Sequence, residues 1–243
     1  MDKDYRGSIY KDYPTMFNKT TSLFDYKAAG DWIPCLGYYF RNWLPQNSSA
    51  TIVDLGCGNG RVIYALKEMG YGNVSGIDVS ESQLAIARQI SPNVVQADVL
   101  DFLKGVDCSY DLIIALDLVE HLDKNEILVF IDACYGALRP GGRIVIQTPN
   151  ACSPFFGSVR YGDFTHEVAF TPNLLGQLMS RAGFNEICSR DMPPVPFKYT
   201  LLSTVRFFLW RFISLLMSTV DLIESGSRGS SIYSRVFSIS GVK

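Results

Sequence analysis

Several things are scarce in this chain of 243 residues, and each scarcity removes a class of function. No lysine- or arginine-rich block occurs; 22 basic residues face 24 acidic ones, for a formal net charge of −2. Nucleic acid needs a basic stripe to meet its phosphates, so no nucleic-acid partner is expected. The six cysteines are scattered and include no C-x-x-C pair. That spacing argues against a disulfide framework and for small, reduced core residues in a cytoplasmic protein. No apolar leader follows Met1, so no secretory signal is expected, and the sequons at Asn18, Asn47 and Asn73 read as coincidence. Histidine is rarer still, with only His121 and His166. There is no internal repeat and no low-complexity segment. Hydrophobic residues make up 47% of the chain, enough for one full core.

What is present concentrates between Thr51 and Val62. A short apolar run ends in Asp54-Leu55, glycines alternate at Gly56, Gly58 and Gly60, and a helical pattern follows at once. This is a strand, a tight turn and a helix start, the layout of a nucleotide-binding crossover. Glycine lets the backbone take positive φ and lets a ligand lie against it. The spacing is G-x-G-x-G, not G-x-G-x-x-G, which suits a ligand whose amino-acid tail lies over the turn. A second strand closes on Asp78, about 20 residues on, within reach of ribose hydroxyls. Ser80, with Gln83 three residues later, reads as the N-cap of the next helix, which leaves Asp78 free for ligand. A third strand ends at Asp98.

The glycine segment resembles motif I of class I S-adenosylmethionine (SAM)-dependent methyltransferases, and the three acidic strand tips follow in the family's order. The resemblance covers residues 50 to 190. It implies an α/β fold: a Rossmann-like seven-stranded sheet, mostly parallel with an antiparallel last strand, and helices on both faces. It implies SAM as cofactor, with S-adenosylhomocysteine as product. Cofactor contacts are then expected from Asp54, Gly56, Cys57, Gly58, Gly60, Asp78, Val79, Asp98, Val99 and Leu116. By the same resemblance Asp98 accepts from the adenine amino group and Val99 packs on the ring. The Asn/Asp-Pro-Pro-aromatic motif of amino-methylating DNA enzymes is missing after strand four.

Four regions are expected. Residues 1–48 are aromatic-rich and form an N-terminal helical lid, with Tyr5, Tyr10 and Tyr13 as lid residues and the later aromatics as packing. Residues 49–192 form the SAM-binding core. Strands are expected at 51–55, 73–78, 94–97, 110–115, 143–148 and 184–190, with helices at 60–69, 80–90, 124–138 and after Thr171-Pro172. Arg139-Pro-Gly-Gly142 reads as a helix stop and turn. Residues 193–230 form an apolar helical insertion, and 231–243 return as the last strand. The apolar stretch 199–220 has the length of a membrane span, but Arg206 and Arg211 lie inside it and the chain must return to the sheet. Two roles remain for it. The preferred one is a cap over the cleft or a homodimer partner. The other is a peripheral contact with the inner face of the membrane, meeting a lipid-linked acceptor.

Both histidines fall beyond strand C-terminal ends, where α/β ligand sites form. Asp117, Glu120 and His121 match the acidic-x-x-Glu-His segment of the ubiquinone-biosynthesis type of O-methyltransferase, where it can hold a divalent metal. A metal is not favoured here, because such Glu-His pairs also brace clefts without one. His166 sits in Gly162-Asp-Phe-Thr-His-Glu167, ahead of Phe170-Thr-Pro172. That loop resembles a methyltransferase subgroup associated with bacterial cell-envelope polysaccharides. His166 is the expected general base, with Asp163 or Glu167 fixing its tautomer. A loop-bracing histidine is the other reading. The expected function is SAM-dependent O-methylation of a sugar hydroxyl on a cell-envelope glycan or glycolipid precursor. The alternatives are methylation of a small aromatic or quinone-type hydroxyl, and a SAM-binding scaffold without catalysis.

Overall fold

A computed structural model describes Ile9, residues 22–195 and residues 200–243. The lid residues Tyr5, Tyr10 and Tyr13 lie outside the described residues, as does Tyr199 at the start of the apolar stretch.

The sheet has seven strands, in the order β3-β2-β1-β4-β5-β7-β6. They are β1 (Ile52–Leu55), β2 (Val74–Asp78), β3 (Val94–Gln96), β4 (Tyr110–Leu116), β5 (Leu138–Pro149), β6 (Asn185–Asp191) and β7 (Val236–Val242). The first five pair parallel, and β7 inserts antiparallel between β5 and β6. This is the Rossmann-like arrangement the motif order implied. β4 reads as an unbroken apolar run because both of its faces are covered. Ile113 packs with Val53, Ile144 and Phe130 on one face. Leu112 and Ile114 pack with Ile52, Leu66 and Val145 on the other.

Helices supply those covers. On one face lie α1 (Tyr26–Tyr39), α2 (Arg61–Glu68) and α3 (Glu81–Ala87), contributing Leu36, Leu66 and Leu84. On the other lie α4 (Val99–Leu103), α5 (Lys124–Ala137) and α7 (Pro172–Arg181), which follows the short α6 (Phe156–Arg160). α1 runs unbroken through Gly30 and Pro34, where the sequence suggested an interruption. Between β6 and β7 runs α8 (Leu201–Ser225), which contributes to neither core cluster.

The helix α5 ends at Ala137, just ahead of Arg139-Pro-Gly-Gly142, as expected of a helix stop, but β5 starts at Leu138 and not at residue 143, so the segment falls inside its bounds. Tyr110 pairs with Leu138, and the ladder resumes only at Leu112 with Arg143, so residues 139–142 bulge out of register. Gly141 takes φ 77° there, and a Cβ on Gly142 would sit 2.8 Å from the Arg139 carbonyl oxygen. The C-terminal lysine closes the excursion: Gly141 N–H donates to the Lys243 carbonyl at 3.0 Å, and Lys243 N–H donates to the Gly142 carbonyl at 2.9 Å.

Candidate active site

The glycine turn leaves β1 with Gly56, Gly58 and Gly60 at φ 73°, 50° and 84°, values a side chain strongly resists. Gly56 and Cys57 N–H both donate to the Ile77 carbonyl, at 2.8 and 2.9 Å, which locks the turn onto β2. Gly76 permits that closeness. A Cβ there would lie 2.6 Å from Ile63 Cδ1 and 2.7 Å from Cys57 Sγ. The sequence signal for this position was only a glycine inside a strand.

Asp78 is not free, as the sequence suggested. Its Oδ2 accepts from Gly58 N–H and its Oδ1 from Ser80 N–H, both at 2.8 Å. The reason is that Ser80 occupies the N-cap position without making a side-chain cap bond, so Asp78 serves that end of α3. A carboxylate has four acceptor positions, so the two left over still suit a ribose diol. Asp54 is buried, and its Oδ2 has no hydrogen-bond partner. Burial, then the nearby Asp78 charge, pushes its pKa well above the carboxylate range. An orphaned buried acceptor beside a glycine turn is a fit for a ligand ammonium. Asp98 caps α4 through Oδ1, accepting from Leu100 and Asp101 N–H at 2.8 and 3.3 Å, while the residue itself stays exposed. The Val99 side chain is buried in the core, so it is not open to the ring contact the resemblance assigned it. Val79 is exposed, Leu116 half-buried and Cys57 buried.

The second half of the site stands beyond β4 and β5. Asp117 takes φ 52°, and both of its carboxylate oxygens accept from Gln147 Nε2, at 3.0 and 3.1 Å. A single 3₁₀ turn, Val119–His121, follows. Glu120 is buried in it. Its Oε2 accepts from the Thr148 hydroxyl at 3.0 Å and its Oε1 has no partner. Burial, then the Asp117 charge, drives its pKa well upward. The Glu120 carbonyl also accepts Glu167 N–H at 2.7 Å, and so pins the long loop after β5 over this turn.

That pinning brings the two histidines together, with ring centroids 4.8 Å apart in an edge-on arrangement. The Thr165 hydroxyl donates to Asp163 Oδ1 at 2.6 Å and lies 2.8 Å from His121 Nδ1. A hydroxyl has one proton. With that proton on Asp163, Thr165 must accept from His121 Nδ1–H, which leaves His121 Nε2 as the ring's lone pair. Asp163 therefore reaches His121 through Thr165, where the sequence suggested a direct role on His166. His166 Nδ1 is buried and unpaired. Ligand-capable atoms of Glu120, His121 and His166 lie within 4.8 Å of one another. The structure thus groups His166 with Glu120 and His121, where the sequence had grouped Asp117; Gln147 holds that carboxylate instead. Thr165 belonged to the loop motif in the sequence but had no role assigned to it, and Thr148 did not stand out, since an isolated threonine carries no signal.

Known proteins resemble this chain over the same region. Residues 52–142 match a family model described as a methyltransferase domain. A ubiquinone biosynthesis O-methyltransferase of Hydrogenovibrio crunogenus is 28% identical over 172 residues, covering 62% of this chain and 69% of that protein. The matched domain and this relative support a class I SAM-dependent methyltransferase. The methyltransferase also shares its fold with solved structures. One is a SAM-dependent methyltransferase from Archaeoglobus fulgidus, with a TM-score of 0.65 and 21% identity over 90% of this chain and 100% of that one. Another is phosphoethanolamine N-methyltransferase 2 of Haemonchus contortus in complex with SAM, with a TM-score of 0.60 and 18% identity over 96% of this chain and 60% of that one.

Proposed function

We propose that the enzyme transfers the SAM methyl group to a hydroxyl oxygen, with His121 as the general base. The observation that carries this reading is the Asp163–Thr165–His121 chain beside the SAM turn. In-line transfer needs an aligned oxygen lone pair. Bound SAM would supply a methyl carbon on a sulfonium, to which the acceptor oxygen would bond as the carbon–sulfur bond breaks and the sulfur becomes neutral. The hydroxyl proton passes to His121 Nε2, and the Asp163 charge, acting through Thr165, stabilises the imidazolium. His166 meets the His121 ring edge-on and keeps it in place. On the donor side, Asp54 Oδ2 would hold the methionine ammonium, Asp78 the ribose and Asp98 the adenine amino group. SAM supplies the activated methyl group, and the chain supplies alignment and a proton acceptor.

Within this class we favour a sugar hydroxyl of a cell-envelope glycan or glycolipid precursor. Tyr161 and Phe164, 80% and 77% exposed on the loop over the histidines, offer flat apolar faces to a sugar ring. Asp163 and Glu167 offer acceptors to its hydroxyls. A quinone-type phenol is the second reading, favoured by the names of the curated relatives. The six free thiols fit a reducing, cytoplasmic setting.

The test is transfer of labelled methyl from SAM into fractionated acceptors. Label in glycan or lipid-linked sugar supports the first reading, and label in catechol-like aromatics moves the second ahead. Bound SAM with no transfer to any fraction would leave the scaffold alternative standing. His121→Ala should lower kcat by about 100-fold or more, in the range of general-base loss, with SAM affinity unchanged.

A further inference from the structure

α8 is built inside out. The side chains it buries are Ser203, Ser214 and Ser218. Facing outward are large apolar groups such as Phe208, Leu209 and Phe212, at 56%, 57% and 60% exposed. Placed at roughly 100° per residue, the exposed apolar side chains cover an arc of about 160°. Arg206 lies at one edge of that arc and Arg211 at the other, both exposed. No acidic residue occurs from Leu201 to Val220.

The helix is also fastened to the body along its length. Ser203 Oγ donates to the Val195 carbonyl. Trp210 Nε1 donates to Asp191 Oδ2 at 2.9 Å. Ser218 and Ser231 hydroxyls lie 3.3 Å apart, and Tyr233 OH donates to Asp221 Oδ2 at 2.5 Å. A helix crossing a bilayer would have to break all four links, so α8 lies along the protein and presents one apolar side.

We propose that α8 docks the enzyme flat on an anionic lipid bilayer. The apolar arc sits at the boundary between headgroups and acyl chains, and the two arginines reach lipid phosphates on either flank. Charge selects this occupant over a second copy of the chain. In two copies meeting through this face, the four arginines would have only Glu224, in the last turn at the Arg206 edge, to pair them. A bilayer surface of negative lipids offers a partner at both edges. Docking also brings the acceptor loop to the membrane. The segment after α8 is clamped to the end of β5 by Asn150 Nδ2, which donates to the Ile232 and Ser234 carbonyls, each at 2.9 Å. The loop bearing Thr165 and His166 starts from that same Asn150. The inference goes beyond the acceptor assignment and holds whichever hydroxyl is methylated.

The experiment is flotation of the full chain with vesicles rich in phosphatidylglycerol and, in parallel, with pure phosphatidylcholine. Binding to the first, weakened by salt and poor on the second, is expected. The double variant Arg206→Gln, Arg211→Gln should lose about fivefold in partitioning per arginine. Phe208→Ser with Phe212→Ser should abolish flotation, and SAM affinity should be unchanged in both variants. Should the phenylalanine variant fail to fold, the arginine variant decides alone. A protein that stays in solution, as monomer or as a dimer in sedimentation, overturns the proposal, as does flotation indifferent to the arginines.

Discussion

Thr165 shows how much one uncharged residue can decide. Its hydroxyl joins Asp163 to His121 and thereby sets which imidazole nitrogen carries the proton. Thr165→Val should lower kcat, shift the acidic limb of the pH–rate profile and leave SAM affinity unchanged, whereas Thr165→Ser should retain most activity. A valine variant with a normal pH profile would reduce Thr165 to loop support. On the donor side, Asp54→Asn should weaken SAM binding about tenfold or more, since a hydrogen bond to a charged group contributes about 1.5–3 kcal/mol; titration calorimetry reads this directly. Gly76→Ala should cost about 1–3 kcal/mol through overpacking against Ile63 and Cys57, measured by urea unfolding. The glycines and acidic strand tips were legible as residues. Their hydrogen bonds were not, because Asp78 had to be shared between a turn and a helix end that meet only in the fold.

At the scale of elements, local rules carried far. Asp123 accepts from Asn125 and Glu126 N–H, and Glu126 Oε2 accepts from Asp123 N–H, a complete capping box at the start of α5. Asp123→Ala should therefore cost about 1 kcal/mol and lower Tm by about 2–4 °C, as read by calorimetry. β1, β2 and β4 fell close to their expected ranges because each is a short apolar run bounded by turn residues. Arg139–Gly142 stopped the helix as expected but hid the early start of β5, for a physical reason. Its Pro-Gly-Gly chemistry does turn the chain, but the strand pairs on either side of the excursion. α8 was visible as an apolar helix, yet its orientation was not. Hydrophobic periodicity would have turned the apolar side inward, while the tertiary contacts bury serines.

The whole molecule carries a pH signature. Burial raises the pKa of Asp54 and Glu120 above their unfolded values. A carboxyl with a raised folded pKa holds its proton more tightly when folded, so stability is greatest below the unfolded value, about 4, and falls as pH climbs toward the folded one. Unfolding of the ligand-free enzyme should give a lower free energy at pH 8 than at pH 5, and Glu120→Gln should make that slope shallower. Equal slopes would mean that the Glu120 carboxyl is compensated by a neighbour. The ammonium of SAM favours ionised Asp54, so the stabilisation by bound SAM should grow over the same pH range.

The amino-acid order by itself determined the strand–turn–helix at Gly56–Gly60, the alternation that builds the parallel sheet, and the acidic residues at three strand tips. Each rests on contacts between near neighbours in the chain. Only the tertiary structure decided that His166 stands over His121 and that α8 faces outward. Those depend on groups tens of residues apart. Their meeting is set by which surfaces can be buried together with every polar group satisfied, a condition that belongs to the folded chain as a whole.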